Sequence, residues 1–414
     1  MTEQQMKPGM ASAEKQIHAL DEVAQYLPPF RATWTIHDGP GAFASWEMKD
    51  AARKAAAAGT YVDGSRIKTD AEGFAAACPP HSPIRHANYS VPVHFDVAEY
   101  QHVFPKSFIA DLHASLDICS APDLIPLSPL GSRPGPGPSP DRTLFARFAR
   151  SKTLLHPDIL GVPLVEMNES QDDIPWANKT DQRMLWRGRT TGGRWAKAPW
   201  DIQRSSARLR FVALTGLKNG TVPVLLPPHN DTSDFEVRDI ELSELNQLFD
   251  VGIIDTVQCD PEICERIKQT HNVKEPIFPD KGKHYKYIFD VDGNAWSSRF
   301  RRLMTRNSLL FKSTVFPEWW TDRVMPWVHF VPVKVDYSDL YDALVFFRGL
   351  PDGSVAGQDQ LGERIAMAGR DWVERFWRHE DITAYTWRMY MEFARVTSTN
   401  RTSLDFIMPD QAHP

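Results

Sequence analysis

Two stretches of the 414-residue sequence combine arginine, glycine and hydroxyl side chains in arrangements suited to gripping an anion. In YKYIFDVDGNAWSSRFRR, an apolar run ends at Asp290, Asp292 and Gly293. Ser297 or Ser298 can cap the helix expected next, and Arg299, Arg301 and Arg302 fall in its first turns. A helix start presents unpaired N–H groups and partial positive charge, so phosphate is its natural guest. Between residues 280 and 312 eight Lys or Arg stand against three Asp, a local charge of +5 in a chain of net charge −6. Arginine suits this task because its planar fork makes paired bonds to phosphate that lysine cannot copy. The blander account is a solvated basic helix face. The second stretch, LWRGRTTGGRW, sets Arg187 and Arg189 around Gly188, followed by the hydroxyls of Thr190 and Thr191 and a glycine pair, a composition suited to a tight loop wrapped on an anion. A plain turn would use the same residues, and no Walker A pattern occurs.

Other side chains give weaker signals. Asp290 and Asp292, two apart on a strand, share a face and could hold a divalent ion against a diphosphate. The pattern does not continue into a calcium loop, and a strand-end turn explains the pair as well. Glu318 in FPEWW sets a carboxylate beside Trp319 and Trp320, which resembles a sugar-binding edge. His329, inside the apolar PWVHFVPV, reads as a core histidine. No GxSxG, HExxH or GxGxxG motif appears.

These residues need elements to position them. YKYIFDV (285–291), a helical SSRFRRLMTRN and the apolar SLLFKSTV (308–315) make strand, turn, helix and strand within about 30 residues, the βαβ pattern, with a ligand crevice at the carboxyl ends of its strands. FVALTGL (211–217), VPVLLP (222–227) and VHFVPVKV (328–335) read as further strands. YSDLYDALVFFRG reads as a helix closing at Gly349, WEMKDAARKAAAA as one ending at Gly59, and 358–395 as two more. SFIADLHASLD (107–117) has amphipathic helical spacing. SPLGSRPGPGPSPD (128–141) reads as an exposed insertion, since its prolines and glycines sustain neither helix nor ladder.

With 42% hydrophobic and 24% charged residues the chain is an ordinary folded protein, long enough for two or three domains. Its acidic balance argues against nucleic acid and anionic lipid as partners. Ten asparagines occur, and six (Asn88, Asn168, Asn178, Asn219, Asn230 and Asn400) begin Asn-X-Ser/Thr triplets. With Ser plus Thr at 48 positions, chance would supply about one. Cys78, Cys119, Cys259 and Cys264 are an even set compatible with two bridges, whose pairing the spacing leaves open. Both features point to the lumen of the secretory pathway. No stretch is apolar enough to span a membrane, so membrane attachment would need an anchor outside this chain.

LWRGRTTGG, the block YKYIFDVDGNAWSSRFRRLMTRNSLLFKSTVFPEWW and MPWVHFVPVKVDYSDL together resemble glycosyltransferase family 90, which holds fungal capsule-associated glycosyltransferases and Rumi-type protein O-glucosyltransferases. The likeness is densest over 181–395, and FRATWTIHDGPGAF and CPPHSPIR resemble the fungal branch. The resemblance implies an α/β, GT-B-like fold, with two Rossmann-like halves facing across a cleft and C-terminal helices packing back. The corresponding division is an extension over 1–90, an acceptor-side half over 91–205, a donor-binding half over 206–370 and terminal helices over 371–414. It implies an inverting transferase moving glucose or xylose from a UDP-sugar to a glycan or protein hydroxyl, with no cofactor and no obligatory metal. A catalytically silent sugar-binding protein on the same scaffold is the alternative, and a metal-dependent transferase using Asp290 and Asp292 is a weaker third. Carried over by position, Arg187, Gly188, Arg189 and Thr190 form one donor-contacting loop. Ser297, Ser298, Arg299 and Phe300 form the other, while the residues themselves add Asp292, Gly293 and Glu318 as candidate donor contacts. The resemblance puts the catalytic base at Ser120, a poor base at pH 7, so Asp117 and Asp123 are the expected substitutes and Asp38 a remoter one.

Overall fold

A computed structural model describes residues 14–87, 104–132, 135–163, 172–193, 206–228 and 234–400. Its strands are β1 (Thr33–Trp34), β2 (Arg147–Ala149), β3 (Ile159–Leu160), β4 (Asp181–Arg189), β5 (Thr221–Leu226), β6 (Glu236–Glu241), β7 (Phe249–Asp255), β8 (Tyr285–Val291), β9 (Leu309–Ser313) and β10 (Val331–Pro332). The longer helices are α1 (Trp46–Ala57), α2 (Ala207–Leu214), α3 (Pro261–Thr270), α4 (Phe300–Met304), α5 (Leu340–Arg348), α6 (Asp359–Phe376) and α7 (His379–Thr397).

The principal sheet has the order β10-β9-β8-β4-β7, every pair parallel. All seven residues of β8 are buried, as expected of a parallel strand covered on both faces, and its aromatic and β-branched side chains suit that place. The chain runs from β4 to β7 on one side, then crosses back to β8 on the other. The order therefore reverses at β4, which is where a crevice opens beyond the strand ends. The sheet takes β4 from the 91–205 segment and its remaining strands from the 206–370 segment. A second, smaller parallel sheet, β1-β2-β3, lies under α7. There Trp34 stacks on Phe148 with ring centroids 5.4 Å apart and donates its indole N–H to the Tyr390 hydroxyl at 2.8 Å. β5 and β6 form an antiparallel hairpin. Mixed α/β architecture with parallel sheets is thus established.

Several local expectations are corrected. FVALTGL is helical, within and just beyond α2: the Ser206 side chain accepts from Leu209 N–H at 3.1 Å and starts a helix buried on nearly every face. A short apolar run of that kind cannot be told from a strand by periodicity. Of 107–117 only Leu112–Ser115 is helical, because Asp117 accepts from Cys119 N–H at 3.0 Å and turns the chain toward the Cys78–Cys119 disulfide. β10 is only Val331–Pro332, followed by one more bond to β9 from Val333 N–H to Lys312 O at 2.8 Å. The Pro/Gly-rich stretch is docked in part, with Phe74 N–H donating to Pro136 O at 2.8 Å. α5 does close at Gly349, whose φ of +80° favours glycine.

The second disulfide joins Cys259 and Cys264. Asn178, Asn219 and Asn400 are exposed, while Asn88, Asn168 and Asn230 lie outside the described residues. No helix among the described residues is long and apolar enough to cross a membrane.

Candidate functional site

Because the strands are parallel, the carboxyl ends of β4, β7 and β8 meet at one edge. There Arg187, Gly188, Arg189, Ile254, Gly293, Ser297, Ser298 and Arg299 line a cleft of about 540 Å³, joined by Asp38, Thr191, Arg208, Asn294, Trp296 and Arg302. The two arginine-bearing segments thus share one site. The Arg299 guanidinium also donates to the Arg187 carbonyl at 2.8 Å. A smaller cavity of about 140 Å³, lined in part by Arg187, Arg299, Arg302 and Phe278, adjoins it.

Each arginine is braced from behind. Arg187 donates to the Asp250 carboxylate at 2.8 Å and to the Asp250 carbonyl at 2.7 Å. Asp250 also accepts from Lys274 at 2.6 Å and from the Tyr285 hydroxyl. Burial alone would raise Asp250, but the bonds from Lys274, Tyr285 and Arg187 outweigh it and hold the carboxyl well below its usual range. Arg299 donates to Asp290 at 3.1 Å, and Ser297 donates to the same oxygen at 2.7 Å. Arg208 reaches the Asp292 carbonyl at 2.9 Å and the Arg189 carbonyl at 3.0 Å, tying the two loops together. Burial first, then the nearby Arg299 charge, pull the Arg208 guanidinium down to about 9. Gly188 is required by space, since a Cβ there would lie 2.6 Å from the Trp186 indole.

Beneath this surface lies a buried ionic floor. Lys312 Nζ sits 3.1 Å from Asp290 and 2.7 Å from Asp292, all three side chains being almost wholly buried. The register pairs Asp290 directly with Lys312 across β8 and β9. Burial would strip the ammonium of its proton, yet the two aspartates raise it well above the ordinary lysine value.

Several expected contacts are corrected here. The Asp292 carboxylate turns inward to Lys312 and Thr314, so an ammonium occupies the place between the two aspartates that a metal was considered for. Thr190 is buried, its hydroxyl donating to Val257 O at 2.9 Å and accepting from Val257 N–H at 2.8 Å, and Thr191 lines the cleft instead. Phe300 is a core ring stacked 4.2 Å from Trp320. Glu318 is buried, its backbone bridging Ser151, and Trp319 and Trp320 are equally enclosed, so FPEWW is no exposed sugar-binding edge. Burial pushes the Glu318 carboxyl up to about 8. Neither Asp117 nor Asp123 is among the cleft-lining residues. Arg301 bonds the Trp377 carbonyl, away from the cleft. Arg208, Asn294 and Trp296 join the cleft without a place in the sequence reading, whereas Thr191 is one of the two hydroxyls expected in the loop. Arg208 left one signal, a charged side chain within an apolar run, which must find partners when buried.

The family described as glycosyl transferase family 90 matches residues 230–407. The likeness to family 90 is thus carried by this segment, less than half of the chain. The rat protein named Protein O-glucosyltransferase 1 is 34% identical over 119 residues, 28% of this chain and 28% of that protein. The human protein of the same name is 33% identical over 131 residues, 30% of this chain and 31% of its own length. The O-glucosyltransferase rumi of Drosophila pseudoobscura pseudoobscura is 33% identical over 125 residues, 30% and 28% of the two chains. The matches therefore span less than a third of these relatives. The family 90 segment contains β8, the Ser297–Arg302 turn and the ionic floor. Arg187 and Asp38 lie before it.

Proposed function

We propose that this chain is a glycosyltransferase that moves a sugar, glucose or xylose, from a UDP-sugar to a hydroxyl of a glycan or protein, with inversion at the anomeric carbon. The observation that carries the reading is the convergence of Arg187 and Arg299 on one cleft. Both are fixed by carboxylates behind them, and their side chains retain exposures of 13% and 20%. A pyrophosphate laid across them gains charge-assisted bonds from donors that need no reordering, and the same donors stabilise the negative charge that grows on UDP as it departs. The names of the relatives support glucose as the sugar and protein as an acceptor. A GT-B-like arrangement, in which a second Rossmann-like half carries the acceptor, suits a cleft at the strand ends. Two disulfides and the exposed Asn178 and Asn219 triplets support a lumenal home in the secretory pathway.

The direct test is calorimetry with UDP, UDP-glucose and UDP-xylose, together with UDP release in the presence of acceptor. UDP is expected to bind, and Arg299→Lys, which keeps the charge but loses the fork, should weaken it about 10-fold or more. Turnover undiminished by excess EDTA is expected, because the arginines do the work a metal would do. Absence of UDP binding, or strict dependence on a divalent ion, would overturn the reading. Tight UDP binding with no turnover for any acceptor would favour a silent binding protein.

A further inference from the structure

Among the described residues the cleft lining includes five arginines and one acid, Asp38. It belongs to the HDGP turn just beyond β1, far in sequence from the donor loops. The turn is held by Thr35, whose hydroxyl accepts from His37 N–H at 3.1 Å, while Thr35 N–H extends the ladder to Phe148 O at 2.9 Å. One carboxylate oxygen of Asp38 accepts from the Trp296 indole N–H at 3.2 Å and faces Arg150 at 3.5 Å, and the other accepts from Asn294 Nδ2 at 2.9 Å. The side chain is nevertheless 42% exposed, so it retains an open face.

Asn294 gives this geometry its meaning. Its carbonyl oxygen accepts from Gly192 N–H at 3.1 Å, which fixes the amide so that Nδ2 is turned to Asp38. The first donor loop thereby orients the acid. Asn294 also lines a second cavity, of about 490 Å³, with Pro129, Gly193, Gln258 and Asp260. Asp38 thus lines the cationic cleft and is bonded to Asn294, which also borders an open cavity large enough for a sugar or a peptide side chain.

We propose that Asp38 is the catalytic base of the transfer, accepting the proton of an acceptor hydroxyl that enters through this second cavity. In the step, the acceptor oxygen forms a bond to the anomeric carbon, the bond from that carbon to the UDP oxygen breaks, its electron pair leaves with UDP, and the hydroxyl proton passes to the Asp38 carboxylate. The Asn294 and Trp296 donors aim the Asp38 carboxylate while leaving lone pairs for the proton. The inference rests on the UDP-sugar reading.

The experiment compares wild type, Asp38→Asn and Asp38→Glu for UDP affinity by calorimetry and for transfer from the UDP-sugar that wild type turns over. Asp38→Asn should bind UDP within about 3-fold of wild type, yet transfer about 10²- to 10⁴-fold more slowly, the range of a lost general base. The acidic limb of the pH–rate profile should vanish with it, whereas Asp38→Glu should retain that limb and part of the rate. If Asp38→Asn is unstable, Asp38→Ala supplemented with formate as an external base serves instead, and recovery of transfer supports the role. Transfer within about 3-fold of wild type in Asp38→Asn overturns the inference while sparing the donor reading, and so does a UDP affinity that falls in parallel with rate. Failure of wild type to bind UDP removes the donor reading and the inference together.

Discussion

The cleft draws its arginines from the five-stranded sheet and its acid from the edge of the three-stranded one, and the two sheets secure their contributions by different means. β4, β7 and β8 are seven to nine residues long, and parallel ladders, with Arg187 paired to Gly252 of β7, fix where Arg187 and the turn before Arg299 emerge. β1 and β3 have two residues each and β2 three, too few for a ladder to hold alone. Side chains take over there. Asp158 accepts from Gly41 N–H at 3.0 Å and Ala42 N–H at 3.1 Å, and Trp34 is clamped between Phe148 and Tyr390. A binding group can be carried by regular hydrogen bonding or by a few side-chain pins, and only the second is exposed to single substitutions.

The sharpest way to break this contrast is at the ionic floor, where the large sheet also depends on a side chain. Lys312→Met leaves Asp292 buried without its counter-ion and Asp290 with Arg299 alone, and should cost about 3–5 kcal/mol of stability by chemical denaturation. A loss below about 1 kcal/mol would mean that the ladder holds the strands without the ion cluster.

The two regions should also answer pH in opposite senses. His156, packed on Phe43 beside the small sheet, is held down to about 3 by burial first and then by Lys49 and Lys152. The unfolded chain then binds the extra proton between pH 6.5 and 3, so stability falls as pH drops through that window, by about 2 kcal/mol between pH 6.5 and 5. Glu318, in the floor of the large sheet, is pushed up to about 8, so the folded state holds the extra proton and stability falls as pH rises from 4.5 through 8. His156→Gln should flatten the acid arm of a melting-temperature profile and Glu318→Gln the alkaline arm. Either substitution flattening the wrong arm would refute the assignment.

The smallest effect on stability is expected from Asp158→Asn, about 1 kcal/mol, since one acceptor oxygen survives. It secures the chain three residues after Asp38, so transfer should suffer more than the melting temperature does. Equal, small changes in both would show that the small sheet tolerates the loss of a pin.

Much of the large-sheet side is legible in the sequence because its signals are local. The aromatic and β-branched run at 285–291, the Asp292-Gly293 break, the closing Gly349 and the charge reversal over 280–312 lie within short windows, and the convergence of Arg187 with Arg299 follows once parallel strands are assumed. Facing is harder to read. Asp290 and Asp292 do share a side of β8, but whether it looks at a ligand or at Lys312 depends on the register with β9, which no local pattern states. The same gap hid the inward turn of Phe300 and Thr190 and the enclosure of Glu318. Asp38 was named as the most distant substitute, because nothing near residue 38 tells that Asn294 and Trp296 will meet it.

The bond from Trp34 to Tyr390 has a reach beyond packing. α7 supplies no lining residue to the cleft, yet it clips down the first strand, and that strand launches the turn bearing Asp38. Shortening the protein from its far end past residue 390 would release that clip, so a piece trimmed down to its arginines could keep its grip on a nucleotide and lose the ability to use it.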